Sequence, residues 1–310
     1  MTHHPPLPIL RLHLTVRADS PLSLPPYAGS MLRGAFGHAL LALSPLPHSS
    51  GKPCALFDRC AYCQVFAPPA LPEHGLQKFT QMPAAFIIEP PQGEMRLAAG
   101  QHFGFGMVLV GRALEHLPIL MQAWTRALRT GLGAAHSRCT LIHVEDENGH
   151  SLPLNETGPM AAFKPSPLPP APQLGQQASL QLLTPLRLQQ QGKPVKSQTL
   201  DARTLLITLA RRWQLLLDVY LGAQAPQQDF AHLTAAASNL RLEAENLRWF
   251  DWGRYSQRQQ QEMKLGGLLG QLHLHGDLSP FSELLHLGQW LHVGKNASFG
   301  LGGYRLLGNR

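Results

Sequence analysis

Charge is scarce in this sequence: Asp, Glu, Lys and Arg make up 15% of its 310 residues. Long hydrophobic runs are missing too. No stretch of about 18 uncharged apolar residues occurs, which excludes a helix able to span a bilayer. The opening MTHHPPLPIL lacks the basic start and apolar core of a signal peptide, so the expected location is cytoplasmic, with no membrane partner. Cysteine is rare, at 4 residues, and a chain of this length with so few is not a disulfide scaffold. No G-x-S-x-G elbow, H-E-x-x-H helix or EF-hand loop is found, which withdraws support from those hydrolase and metal classes.

What is present is apolar and basic. A hydrophobic fraction of 44% can fill a sizeable core, and 310 residues suit one large domain or two ordinary ones. Lys and Arg number 26 against 19 Asp and Glu, for a net charge of +7 alongside 16 histidines. The excess is uneven: residues 1–155 carry 11 basic and 9 acidic side chains, net +2, and residues 156–310 carry 15 and 10, net +5. A basic surface suits a polyanion, nucleic acid first. A basic enzyme without such a partner fits the same numbers.

Periodicity predicts a repeated order of elements. LPILRLHLTVR (residues 7–17) alternates as a strand, and SMLRGAFGHALLALS reads as a helix capped by Ser30, with Leu32, Phe36, Leu40 and Leu43 at helical spacing. AAFIIEPP and HFGFGMVLVG read as strands, LEHLPILMQAWTRALRTGLG as a helix stopped by Gly131 and Gly133, and CTLIHVEDENGHSL as a strand. Strand, helix, strand, strand, helix, strand is the ferredoxin-like order. Residues 153–177 are rich in proline and read as a linker. A similar order follows: strand ASLQLLTPLRLQ; helix DARTLLITLARRWQLLLDVYLG, capped by Asp201 and stopped by Gly222; the extended NLRLEAENLRWFDWGRYS; strand GGLLGQLHLHGDL; and helix SPFSELLHLGQWL, capped by Ser279. The expected architecture is therefore α+β, two tandem ferredoxin-like domains over residues 1–152 and 178–310. A Cys-containing insertion occupies about residues 48–75 of the first.

HVGKNASFGLGGYRL, residues 292–306, invites a nucleotide reading and fails it. Gly288 and Gly294 are one residue too far apart for G-x-x-x-x-G-K-[ST], and Asn296 follows Lys295. Gly300 and Gly302 begin G-x-G-x-x-G, but Arg305 takes the place of the third glycine. Two readings stay open. Bare amides around Gly294, Gly300 and Gly302 could approach phosphate beside Lys295 and Arg305, with Phe299 or Tyr304 stacking on a base. Alternatively, the glycines only turn the chain into a last strand. WFDWGRYSQRQQQEMK interleaves Arg254, Arg258 and Lys264 with Trp249, Trp252 and Tyr255, a nucleic-acid composition or a pair of core tryptophans. Arg33 poses the same choice on the first helix. His38 can exchange a proton near neutral pH, which suits RNA transesterification without metal. Cys54, Cys60 and Cys63, spaced C-x5-C-x2-C, could bind zinc with His48 or His74, or be buried thiols; the expectation is no cofactor, with zinc as the alternative.

Taken together, PPYAGSMLRGAFGHAL, CALFDRCAYCQVF, FIIEPP, TPLRLQ, DWGRYSQRQQQEMKLGGLLG and the terminal glycine-rich stretch resemble the CRISPR-associated endoribonucleases of the RAMP superfamily. The resemblance runs from the first helix to the C-terminus. It implies two RRM-like, ferredoxin-like domains with a C-terminal glycine-rich loop. It further implies metal-independent cutting of precursor CRISPR RNA to a 2′,3′-cyclic phosphate. His38 matches the position of a catalytic histidine near the first helix, with Tyr27 and Lys295 as further catalytic candidates. Arg33, Arg254, Tyr255, Arg258, Lys264, Gly294, Lys295, Phe299, Gly300, Gly302 and Arg305 become the implied RNA contacts. The implied partners are CRISPR repeat RNA, the mature guide RNA and other effector-complex proteins. Two alternatives are a non-cleaving RNA-binding subunit of a surveillance complex and a zinc-stabilised nucleic-acid adaptor.

Overall fold

A computed structural model describes residues 7–45, 48, 54–68, 82–153, 166–256 and 261–307, with backbone alone at residues 58, 252–256 and 261–265. Arg258 and His74 lie outside the described residues. The chain divides into two compact units, residues 5–168 and 169–310.

The first unit contains β1 (Ile9–Ala18), β2 (Leu22–Leu24), α1 (Gly29–Ala42), β3 (Phe86–Glu89), β4 (Met95–Leu97), β5 (His102–Val110), α2 (Leu117–Thr130) and β6 (Cys139–Asp146). Its sheet has the order β3-β5-β1-β6, and every neighbouring pair is antiparallel. That is the ferredoxin-like order. The alternation in β1 works as period two requires: Leu10, Leu12, Leu14 and Val16 are buried, and Arg11, His13, Thr15 and Arg17 face the other way. In α1, Leu32, Phe36 and Leu40 recur every four residues and are buried. The Phe36 ring stacks on Trp124 of α2 at 4.8 Å between centroids and meets Phe86 of β3 edge-on at 5.5 Å. Trp124 in turn packs on Phe105 and donates its indole N–H to Met107 Sδ at 3.1 Å. Both helices therefore close over the Phe105 and Met107 face of the sheet. Deleting a ring in such a cluster costs about 3–5 kcal/mol.

The second unit contains β7 (Gln177–Leu182), β8 (Gln189–Gln190), β9 (Lys193–Pro194), α3 (Ala202–Leu221), α4 (Phe230–Ser238), β10 (Arg241–Ser256), β11 (Gln261–His275), α5 (Ser282–Leu291) and β12 (Tyr304–Leu307). The order β10-β11-β7-β12, again antiparallel throughout, repeats the first topology. Asp201 caps α3, accepting from the Thr204 amide at 2.6 Å, and Gly222 ends it at φ +56°, both as the sequence predicts.

Several local expectations need correction. Ser30 is not a cap: α1 begins one residue earlier, Ala28 stands at the N-cap, and no side chain caps the helix. Ser279 does not cap α5 either. It opens a 3₁₀ turn, with its amide and hydroxyl both donating to Asp277 Oδ1, and the α-helix starts at Ser282. The strand read through TPLRLQ stops at Leu182. The helix expected from residue 114 begins as a 3₁₀ turn, Gly111–His116, and becomes α-helical at Leu117. Helix α4 and the small pairs β2–β4 and β8–β9 carry no strong periodicity and went unpredicted. Among the described residues, no helix is long and apolar enough to cross a membrane.

Candidate nucleic-acid interface

The glycine-rich stretch sits in the second unit, between α5 and the last strand β12. It is held from below by the segment after β7. The amide of Lys295 donates to Arg187 O at 2.8 Å and the amide of Gly302 to Pro185 O at 3.0 Å. The Thr184 hydroxyl donates to Gly300 O at 2.6 Å and accepts from the Gly303 amide at 2.8 Å. Val293 N closes back on Gly302 O at 2.9 Å. His292, buried at φ +56°, turns its Nδ1 toward the carbonyls of Gly300 and Leu301, at 3.1 and 3.2 Å.

This geometry decides most of what the glycines do. Gly294 and Gly302 have φ of +95° and +74°; a Cβ on Gly294 would collide with the Arg187 carbonyl and one on Gly302 with the Val293 carbonyl. The amides of Gly300, Gly302 and Gly303 all donate to protein acceptors. These amides are therefore not the free phosphate cradle that the sequence suggested. What the loop offers outward is the Lys295 side chain, which is exposed, and Arg305 on the exposed side of β12. Phe299 is half-buried. Tyr304 is not a stacking platform: it is 2% exposed, its hydroxyl donates to Leu285 O at 2.7 Å, and burial pushes its phenol far above the usual range.

Three of the flagged motifs converge here. Leu186, of TPLRLQ, bridges Leu268, just past KLGG, and Arg187 bridges Gly294. The Arg187 guanidinium donates to Gly266 O at 2.8 Å. The glycines of KLGG let the strands approach: a Cβ on Gly267 would meet Leu186 O at 2.8 Å. Arg187 was missed by the sequence reasoning; its place inside TPLRLQ was the signal. Lys196 was missed as well. Its ammonium lies 3.4 Å from the centre of the Trp249 ring, a cation–π contact that engages one of the two tryptophans. Arg254, Tyr255 and Lys264 fall on the paired backbones of β10 and β11, in register Arg254↔Met263, Tyr255↔Glu262 and Gly253↔Lys264.

The first unit holds the other candidates. His38 is exposed on α1, between buried Gly37 and Ala39, and among the described residues it has no hydrogen bond or ion pair. Arg33, five residues earlier on the same helix, is already engaged, with its guanidinium carbon 4.2 Å above the Phe66 ring centre. Tyr27 is 8% exposed, and burial pushes its phenol far above the ordinary value, which makes it a poor proton donor or acceptor for a solvent-borne RNA.

Comparisons with known proteins find matches in both units. The family model of the CRISPR-associated endoribonuclease Cas6 matches residues 180–304, and a second model, described as an N-terminal domain, matches residues 7–163. The Cas6 match covers 125 of the 310 residues, all of them in the second unit. No curated protein sequence matches it. Among solved structures, a Cas6 product complex is similar at 17% identity and a TM-score of 0.58, covering 96% of this chain and 99% of the other. Thermus thermophilus Cas6 is similar at 16% identity and a TM-score of 0.52, covering 96% and 98%. A partial Cas6-RT-Cas1–Cas2 complex is similar at 13% identity and 0.57, covering 96% of this chain and 46% of that one. At these identities the likeness shows the tandem ferredoxin-like fold of Cas6 and RAMP proteins.

Proposed function

We propose that this chain binds a CRISPR repeat RNA and cuts it by metal-independent transesterification. One observation carries the reading: residues 180–304 match the Cas6 endoribonuclease model. An exposed histidine, His38, lies on the first helix. In the reaction a base takes the proton of the 2′-hydroxyl next to the cut. The 2′-oxygen attacks the adjacent phosphorus, and the bond to the 5′-oxygen breaks as an acid protonates the leaving group. The products are a 2′,3′-cyclic phosphate and a 5′-hydroxyl. His38 serves as the base or the acid. Lys295, Arg305 and the basic face around β10 and β11 pair with the RNA phosphates. The cut RNA stays bound and is passed to other CRISPR effector proteins.

The test is cleavage of the cognate repeat RNA by the purified protein in EDTA. A cyclic-phosphate end on the upstream fragment supports the proposal. Tight binding with no cut in EDTA or with added Mg²⁺ would assign the chain to the other reading, a non-cleaving RNA-binding subunit. The burial of Tyr27, which removes one proton-transfer candidate from the first unit, favours that alternative.

A further inference from the structure

The Cys-containing excursion of the first unit, outside the RNA-facing features, brings four soft donors together. His48, Cys54, Cys60 and Cys63 each place one ligand atom so that all four lie within 4.8 Å of one another. The His48 Nε2 atom is 3.0 Å from Cys63 Sγ and 3.3 Å from Cys60 Sγ. A tetrahedral zinc with Zn–N near 2.1 Å and Zn–S near 2.3 Å needs ligand atoms about 3.6–3.8 Å apart. The donor atoms bracket that spacing, from 3.0 Å at the histidine to within 4.8 Å across the set, so shifts of up to about 1 Å bring them to it. We infer that His48, Cys54, Cys60 and Cys63 form a closed Cys₃His zinc site.

Chemistry supports zinc over a disulfide. An odd number of thiols converges with an imidazole, so pairing two sulfurs leaves one thiol and one ring nitrogen in the same pocket. Three thiolates and an imidazole are a recurrent donor set of structural zinc. Among the described residues, His48 is the histidine that joins the three cysteines. The local backbone favours this convergence. Phe57–Arg59 makes a 3₁₀ turn and a π-turn over Tyr62–Phe66 follows, so Cys60 and Cys63 point to one centre across a C-x2-C spacing. The Ser44 hydroxyl lies 3.6 Å from Cys60 Sγ, close enough to steady that sulfur.

Four protein donors fill a tetrahedron and leave no position for a water or substrate. The ion is therefore structural, and RNA cutting at His38 needs nothing from it. Its place in the packing says what it holds. The His48 ring meets Tyr62 edge-on at 5.2 Å, and Tyr62 stacks on Phe66 at 5.3 Å. Phe66 stacks on Phe86 at 5.5 Å and lies against Gly37 of α1 so closely that a Cβ there would collide with its ring. Gly37 directly precedes His38. Gln64 Oε1 meets His116 Nε2 at 3.0 Å, fastening the same excursion to the turn before α2. Zinc would thus close a clasp whose aromatic stem buttresses the helix that carries His38.

The full chain, purified from zinc-supplemented cells and dialysed against metal-free buffer, is analysed for zinc, and its apoprotein is titrated with Co²⁺. The expected result is about one zinc per chain and the visible absorption of tetrahedral cobalt bound to thiolates. Cys60→Ser and Cys63→Ser should each lower bound zinc at least about tenfold, while Cys139→Ala, which changes the remote cysteine, keeps it. Should the serine variants fail to fold, mercurial titration of the wild-type thiols decides instead, releasing zinc in step with three cysteines. Zinc below about a tenth of an equivalent, equal loss in Cys139→Ala, zinc release that does not follow the thiols, or a Cys60–Cys63 disulfide in a peptide map would overturn the site.

Discussion

Replacing His38 by alanine removes an imidazole that the fold does not use. The side chain is exposed, has no partner among the described residues, and sits on a helix whose buried face is carried by Leu32, Phe36, Ala39 and Leu40. Alanine is the better helix former by about 0.5 kcal/mol, so stability should stay level or rise slightly. Any loss of activity then reads the chemistry directly. Removing a general acid or base slows such a reaction about 10²–10⁴-fold, which is about 3–5 kcal/mol of barrier. Lys295 and the basic strands are untouched, so repeat-RNA affinity should change less than about twofold. The assay is single-turnover cleavage of labelled repeat RNA with enzyme in excess, beside a binding isotherm and a thermal melt of the same preparation. A rate within about threefold of wild type would refute the assignment of His38. A parallel loss of affinity or of melting temperature would refute the inference that the residue is structurally idle.

Gly302→Ala adds a Cβ at φ +74° against the Val293 carbonyl and should cost about 2–4 kcal/mol, seen as a melting-temperature drop of roughly 5–15 °C for the second unit. Lys295→Gln should leave the melt unchanged, because only the exposed ammonium is lost. It should weaken RNA binding and flatten the plot of log K against log salt by about 0.9, measured by titration at several salt concentrations. Burial works to raise the Asp146 carboxyl, but hydrogen bonds from the His150 amide and ring and from the Asn148 amide outweigh it and hold the carboxyl below its ordinary value. Its contribution is therefore complete above the ordinary carboxylate range near pH 4 and lost as pH falls through the lower folded value. Asp146→Asn should lose about 1–2 kcal/mol at pH 7 and flatten the acid limb of the stability–pH curve, read by denaturant melts from pH 2 to 7.

Much of the architecture was legible from local patterns. The alternation of Leu10, Leu12, Leu14 and Val16 in β1, the four-residue spacing of Leu32, Phe36 and Leu40, and the Asp201 cap with the Gly222 stop identify their elements because period and capping act within a few residues. The repeated strand–helix order then leads to two ferredoxin-like units. The motifs that resembled the RAMP endoribonucleases were likewise visible as strings. Element ends were less legible: Ser30 and Ser279 have the right chemistry for caps, yet packing started their helices elsewhere.

Side-chain roles depended on contacts between residues far apart in the chain, and composition carries no information about those. Arg33 looked like an RNA contact, but Phe66 occupies its guanidinium; Tyr27 and Tyr304 looked available, but the core encloses them. The amides of Gly302 and Gly303 are taken up by Pro185 O and the Thr184 hydroxyl, more than a hundred residues earlier, and the Gly300 amide by Ala297 O in its own loop. For the same reason the approach of His48 to the three cysteines, seen among the described residues, belongs to the folded chain. The sequence by itself determined the order and type of the main elements, the basic bias and the resemblance to the RAMP endoribonucleases, because those rest on local periodicity and linear motifs. Only the tertiary structure decided which polar groups stay exposed and which donors converge, because burial and hydrogen-bond partners are set by long-range packing.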